Sequence, residues 1–283
     1  MRKLVGVVVV VGVIGVVAPK AQQVFRSQVN AVVLDVLPTD RNGVITGLRA
    51  EDFEVRDNGV VQTLTHVSGD VAALGVVLLL DTSGSLSERE LDHLRRGAIE
   101  IAGTLREQDE MRLVTFSQHV RLHGLVDTDA LAQIFGRLEP LGETALYDAL
   151  TTAFRLSERQ DQKRPVVIAF SDGADTASWL SAKNVDEAAR GSWAAFFGAT
   201  PKIGPGSAPL FGDLASITGG ATLALDSDFA NLPKTFLQIL ERVRQRYLVA
   251  FTPSSDAPGW HELDVRVKKN GARVVARRGY MRR

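Results

Sequence analysis

The sequence predicts an α/β protein: a doubly wound, mostly parallel sheet with one antiparallel edge strand, joined to a small β-domain formed by the two flanks. Three observations carry this. From residue 72 to residue 246, apolar strand patterns alternate with amphipathic helical ones, as they do when parallel strands are linked by helical crossovers. "GVVLLLD" (75–81) and "VVIAFSD" (166–172) are apolar almost throughout, as central strands covered on both faces must be. Residues 24–70 and 247–283 instead carry strand-like runs punctuated by Asn-Gly pairs, which tolerate the positive φ angles of tight hairpins.

In the first flank, "VNAVVLDVL" (29–37) is strand-like, Asn42-Gly43 marks a turn, and Asn58-Gly59 separates two strand-like runs within 53–67. In the middle region, Ser87 with Glu90 forms a capping box that opens a helix. Leu91, Leu94, Ala98, Ile101 and Leu105 then recur at helical spacing. "MRLVTFS" (111–117) and "VRLHGLV" (120–126) lie too close for a crossover, so the second is expected to be the antiparallel edge strand. Helices are expected over 129–138, from near Thr144, and over 182–190, 210–217 and 231–246; further strands fall at 192–199 and 221–225. The C-terminal flank offers strands over 247–253, 261–269 and 272–280. Each flank is too small to bury a core alone, so 24–70 and 247–283 are expected to pack together, with 72–246 inserted between them.

Composition narrows the function. Lys+Arg and Asp+Glu both number 33, so no global field recruits nucleic acid or an anionic membrane. The absence of cysteine excludes disulfides, thiol catalysis and cysteine-ligated zinc. "MRKLVGVVVVVGVIGVVAPKAQQ" sets Arg2 and Lys3 before an apolar run, Leu4 to Ala18, that falls short of the about 20 residues a membrane span needs. It reads as an export signal over residues 1–21, with an uncleaved anchor as the alternative. The remainder is expected to work outside the cytoplasm, secreted or periplasmic, with no membrane span in the mature chain. His119 and His123, four apart around a strand, read as exposed or hydrogen-bonded rather than as zinc ligands. The basic C-terminal run that includes Arg266, Lys268, Arg273, Arg277 and Arg278 reads as a solvated β-face, with contact with an anionic cell surface as the alternative.

The chemistry lies at strand ends, where ligands bind in an open, Rossmann-like parallel sheet. Asp81 ends one central strand, with Ser83 and Ser85 following; Asp172 ends another; Thr144, in "LGETALYDAL", precedes a helix on the same rim. Two carboxylates and three hydroxyls suit a hard divalent cation, Mg²⁺ or Mn²⁺. The two acids formally neutralise a dication and leave it electrophilic, so that an outside carboxylate could complete its coordination. Asp175 is either a solvated loop acid or a supporting group.

The Asp-x-Ser-x-Ser of 81–85, Thr144 before a helix, and Asp172 in "SDG" resemble the metal-ion-dependent adhesion site (MIDAS) of von Willebrand factor A domains. The resemblance covers roughly residues 72–246 and implies that Asp81, Ser83, Ser85, Thr144 and Asp172 are metal ligands. It implies a protein partner presenting an Asp or Glu, and no enzymatic activity. "GLRAEDFEVRDNGVVQ", "ASITGGATL" and "RYLVAFTP…ARRGY" further resemble a bacterial VWFA-related family with an export signal and flanking strands. Glu143 departs from the pattern, standing where a small residue commonly precedes the threonine.

Two other readings remain open. A haloacid-dehalogenase-type magnesium phosphatase also begins with an aliphatic strand and an aspartate, but it uses a second aspartate two residues on as general acid. That position here is Ser83, which cannot transfer the proton near neutral pH. A metal-independent scaffold that keeps only the loop shape is the other. No G-x-S-x-G, P-loop or H-E-x-x-H pattern points elsewhere.

Overall fold

The computed structural model describes residues 31–69, 72–158, 163–172, 174–201, 208–226 and 229–282. The export signal expected over 1–21 lies outside them. The N-terminal flank forms β1 (Val32–Asp40), β2 (Gly43–Val44), β3 (Phe53–Asp57), β4 (Val60–Val61) and β5 (Leu64–Ser68). The middle region follows as β6 (Leu74–Asp81), α1 (Glu88–Thr104), β7 (Glu110–Phe116), β8 (Val120–Leu125), α2 (Thr128–Phe135), α3 (Leu146–Ser157) and β9 (Arg164–Phe170). It continues with α4 (Ala182–Gly191), β10 (Ala195–Pro201), α5 (Ala208–Thr218), β11 (Ala221–Leu225) and α6 (Leu232–Arg244). The C-terminal flank holds β12 (Tyr247–Phe251), β13 (Gly259–Val267), β14 (Arg273–Val275) and β15 (Gly279–Arg282).

The middle sheet runs β11-β10-β9-β6-β7-β8, parallel except for β8, which pairs antiparallel with β7 at the edge. Period-two alternation sends Val76, Leu78 and Leu80 of β6 into one core, packed with α1, α2 and α6 through Leu94, Ile101, Leu131, Phe236 and Ile239. Val77 and Leu79 enter the other core, against α3, α4 and α5 through Leu150, Phe154, Val185 and Phe211. A strand buried on both faces must be apolar throughout, which is why β6 reads as an unbroken aliphatic run until Asp81. The predicted capping box forms: the Glu90 amide donates to Ser87 Oγ at 3.3 Å, and the Ser87 amide donates to Glu90 Oε2 at 2.7 Å. No helix among the described residues is long and apolar enough to cross a membrane.

Strands from both flanks share two antiparallel sheets, β14-β1-β12-β5 with β2 on β1, and β15-β13-β3-β4. Val32, Leu34 and Val36 of β1 meet Phe53, Val55, Val249, Phe251 and Leu263 in a common core. At the expected turn, Asn58 and Gly59 both take positive φ (48° and 82°), the conformation a two-residue hairpin requires.

Two expectations about the flanks are corrected. After Asn58-Gly59 the hairpin is only two residues deep, because β4 ends at Val61 and the chain crosses to the other sheet as β5. The single strand expected over 272–280 is broken into β14 and β15, which join different sheets. The break falls at Arg277, which is buried rather than part of a solvated basic face. Its Nε donates to Gly279 O at 2.6 Å and its Nη1 to Ser192 O at 3.1 Å.

One buried carboxylate fastens the middle region at the amino ends of its strands. Asp109, its side chain wholly inaccessible, accepts from the Leu74 amide (2.8 Å), the Arg106 amide (2.8 Å) and Arg244 Nη2 (2.6 Å). Burial alone would raise its pKa, but these bonds together hold it below the usual carboxylate value. Its stabilising contribution is therefore present above the ordinary carboxylate pKa and is lost as pH falls through the depressed one. Asp109→Ala leaves Arg244 and two amides without their acceptor and should destabilise the protein by about 3 kcal/mol in urea unfolding at pH 7. The difference from wild type should shrink as the measurements are taken to lower pH.

Candidate metal centre

β6 lies between β7 and β9, so successive connections leave it in opposite directions across the sheet. This switch point opens a crevice at the carboxyl end of β6, where α/β sheets place their ligands. Asp81 is the last residue of β6, fully buried, and the pairing of Leu80 with Phe170 sets Ser171 and Asp172 beside it.

Four of the five expected residues form a hydrogen-bonded row. Asp81 Oδ1 accepts from the Ser83 amide at 2.9 Å, Ser83 Oγ lies 3.0 Å from Ser85 Oγ, and Ser85 Oγ donates to Asp172 Oδ1 at 3.1 Å. Thr144 is buried on the same rim, but no hydrogen bond among the described residues joins its hydroxyl to that row. Backbone bonds hold its loop in place. The Gly84 amide donates to Gly142 O (2.9 Å), the Leu141 amide to Thr82 O (3.2 Å), and the Ala145 amide to Ser117 O (2.8 Å). Gly142 takes φ +85° with the Gln118 side chain 3.3 Å from where a Cβ would stand, a position that calls for glycine.

The loop after Asp172 is stitched to the same rim by groups whose part was not evident from the sequence. Thr144 receives its amide's acceptor from Thr176 Oγ1 (2.9 Å) and accepts the amides of Thr176 and Ala177 at its carbonyl. Asp175 is a supporting group: its Oδ1 accepts from the Tyr147 amide at 3.1 Å and from Ser178. Asp148 accepts from the amides of Trp179 (3.1 Å) and Leu180 (2.8 Å), pinning the loop to the first turn of α3. Ser171 donates to Asp81 Oδ2 at 2.7 Å. The available signal was the density of Ser, Thr and Asp in "SDGADTASWL", too generic to assign roles. Trp179 and Leu141 stand on this rim 97% and 72% exposed. His123 Nε2 meets Thr115 Oγ1 at 2.8 Å and His119 is exposed; no cluster of three His, Cys, Asp or Glu exists among the described residues.

Electrostatically the row lacks a counter-charge. Among the described residues no lysine or arginine pairs with Asp81 or Asp172. Burial pushes Asp81 up to about 6 against hydrogen bonds from Ser83 and Ser171 that oppose the shift, and Asp172 adds to it. Burial likewise raises Asp172, opposed by Ser85 and aided by nearby Glu90. A buried and a half-buried acid with hard oxygen neighbours and no paired cation are a donor set that fits a divalent metal.

Residues 76–174 match the von Willebrand factor type A domain family. The protein carries a von Willebrand factor type A domain. The inter-alpha-trypsin inhibitor heavy chain H4 of Sus scrofa is 28% identical over 137 residues, a match spanning 43% of this chain and only 15% of that relative. A von Willebrand factor type A structure from Catenulispora acidiphila superposes with a TM-score of 0.54 at 14% identity, covering 88% of this chain and 75% of that one. Proximal thread matrix protein 1 from the mussel byssus, solved with a zinc-occupied MIDAS motif, gives 0.51 at 16% identity over 62% of this chain and 48% of its own. The A domain fold of these structures is the α/β arrangement described above.

Because Asp81 is raised from 3.8 to about 6 on folding, its stabilising contribution in metal-free A domain is complete below about pH 4 and is lost as pH rises through 6. With chelator at pH 7, Asp81→Asn should therefore be more stable than wild type by up to about 3 kcal/mol and unfold at a higher temperature, and the gap should close by pH 4. An unchanged or lowered melting temperature at pH 7 would show that the carboxylate is not uncompensated.

Proposed function

We propose that the protein is an exported, non-enzymatic binding protein. Its A domain holds Mg²⁺ or Mn²⁺ through Asp81, Ser83, Ser85, Thr144 and Asp172, and an Asp or Glu of a partner protein completes the coordination. The observation that carries this reading is the hydrogen-bonded row from Asp81 to Asp172, which gathers one buried and one half-buried carboxylate with no cation paired to them among the described residues. Bound there, the ion would supply a Lewis-acidic centre for the partner's carboxylate. The chain's residues fix the charge balance: two acids against a dication, with neutral hydroxyls for the rest. The mussel protein's zinc-occupied MIDAS motif supports a divalent ion in this fold. Glu143, exposed beside Thr144, adds negative charge to the rim and tempers its attraction for an acidic partner.

Ser83 argues against the phosphatase reading, since a hydroxyl bonded to Ser85 stands where a general acid is needed. Within the proposal, 72–246 is the interaction module, while 24–70 and 247–283 form the frame that carries it outside the cytoplasm.

Calorimetric titration with Mg²⁺ should give saturable heat for wild type and none for Asp81→Ala; equal heats would leave the scaffold reading in place. Trp179→Ala should leave Mg²⁺ binding and melting temperature unchanged yet weaken capture of the partner at least tenfold in chelator-sensitive pull-downs from the envelope of the producing organism.

A further inference from the structure

A second candidate site lies at the other end of the sheet, between its amino ends and the flanking strands. A cavity of about 380 Å³ is walled by Val33 and Asp35 from β1, Leu248 from β12, Arg164 at the start of β9, Trp193, and Arg277. Its origin is legible in the strand pattern. β1 sends Val32, Leu34 and Val36 into the flank core, which turns Val33 and Asp35 the other way, and Leu248 is Asp35's cross-strand partner. Val33 and Trp193, each about half exposed, stand at the mouth.

The charges here do not balance. Arg164 and Arg277 are each 5% exposed, and Arg246 just behind them 1%. Asp35 is the carboxylate set among them: it is in ion-pair contact with Arg164 Nε and close enough to bear on Arg246 and Arg277. Three guanidinium groups against one carboxylate leave a surplus of two positive charges. Arg164 Nε faces the Asp35 carboxylate, but Arg164 Nη1 and Nη2 and Arg277 Nη2 lack a hydrogen-bond partner, as does Arg246 Nε behind the cavity wall. Arg277 Nε and Nη1 and Arg246 Nη1 donate to backbone carbonyls, and the two guanidinium groups lie over Trp193 (4.5 Å) and Phe197 (5.3 Å) respectively. Burial lowers both of these arginines to about 10, which leaves them charged at neutral pH.

Buried charged donors without acceptors are costly, and a protein rarely keeps three such atoms, Arg164 Nη1 and Nη2 and Arg277 Nη2, around one cavity without something to meet them. We infer that this cavity binds a small organic oxyanion, a carboxylate or phosphate monoester carried on an apolar body, with Arg164 and Arg277 gripping the anion and Val33, Trp193 and Leu248 enclosing the body. Guanidinium groups present paired N–H donors that match two oxygens of one anionic group. The apolar walls exclude a bare hydrated ion as the best ligand, and the volume falls within the range of small-molecule sites. The site shares no residue with the candidate metal centre, so the two readings stand or fall separately.

The test is thermal unfolding of the full chain with chelator at constant ionic strength, titrated with phenylacetate, phenyl phosphate, inorganic phosphate and neutral benzyl alcohol. Phenylacetate or phenyl phosphate should raise the melting temperature saturably, with half-saturation at least tenfold below that of inorganic phosphate or benzyl alcohol; the tighter of the two identifies the anionic group. Arg277→Gln should raise that half-saturation at least tenfold. Because that change also removes backbone hydrogen bonds, Val33→Glu serves as a second variant at a half-exposed position. It sets a carboxylate within the cavity, so it should fold, melt higher than wild type without ligand, and no longer respond to either phenyl anion. No saturable response in wild type, an equal response to inorganic phosphate, or an undiminished response in Val33→Glu would overturn the inference.

Discussion

Asp81 is an ionisable group at the end of a strand with no access to water, and the architecture of the rim follows from holding it there. The carboxylate can be kept only if its oxygens are met. The Ser83 amide and Ser171 hydroxyl meet them in part, and the raised pKa shows that this is not enough. Asp172, also raised by burial, compounds the deficit instead of relieving it. A fold that places two such groups side by side carries a local instability that a bound cation would relieve.

The loops gain rigidity from a separate set of bonds. Loop 82–86 is tied to loop 139–145 through Gly84 and Leu141, and the latter to loop 174–180 through Thr144 and Thr176. These are mostly backbone bonds, and the carboxylates of Asp148 and Asp175 are engaged by amides and by the Ser178 hydroxyl, not by the crevice. Candidate oxygen donors and scaffolding acids are thus segregated within one stretch of sequence.

That segregation explains what could be read in advance. The parallel sheet was legible because strands buried on both faces must be apolar along their length, and β6 and β9 are. The antiparallel edge followed from the short link between β7 and β8. Asp81 and Asp172 stood out as polar ends to greasy strands. Thr176, Ser178 and Asp148 did not, because hydroxyls and acids near a helix start have many uses and only the three-dimensional contacts select one. Arg277 was misjudged for a related reason: a lone arginine among basic, alternating residues looks solvated. Its burial depends on Ser192 and Trp193, some 85 residues earlier in the chain.

The division of the molecule has a physical logic. Neither flank can bury its apolar face alone, so each needs the other, and the strands of both sheets come from both. They close over the amino ends of β6 and β9, where Arg164 meets Asp35 across the junction and the Arg164 amide bonds to Ala73 O. Packing the frame there leaves the opposite, carboxyl edge, with its uncompensated acids and exposed Trp179, clear of the described flanking strands. It also buries guanidinium groups at the junction in excess of the acid that faces them. The same insertion of one unit into the other thus leaves both ends of the sheet electrostatically incomplete, negative at one edge and positive at the other. Each sign calls for a different kind of ligand.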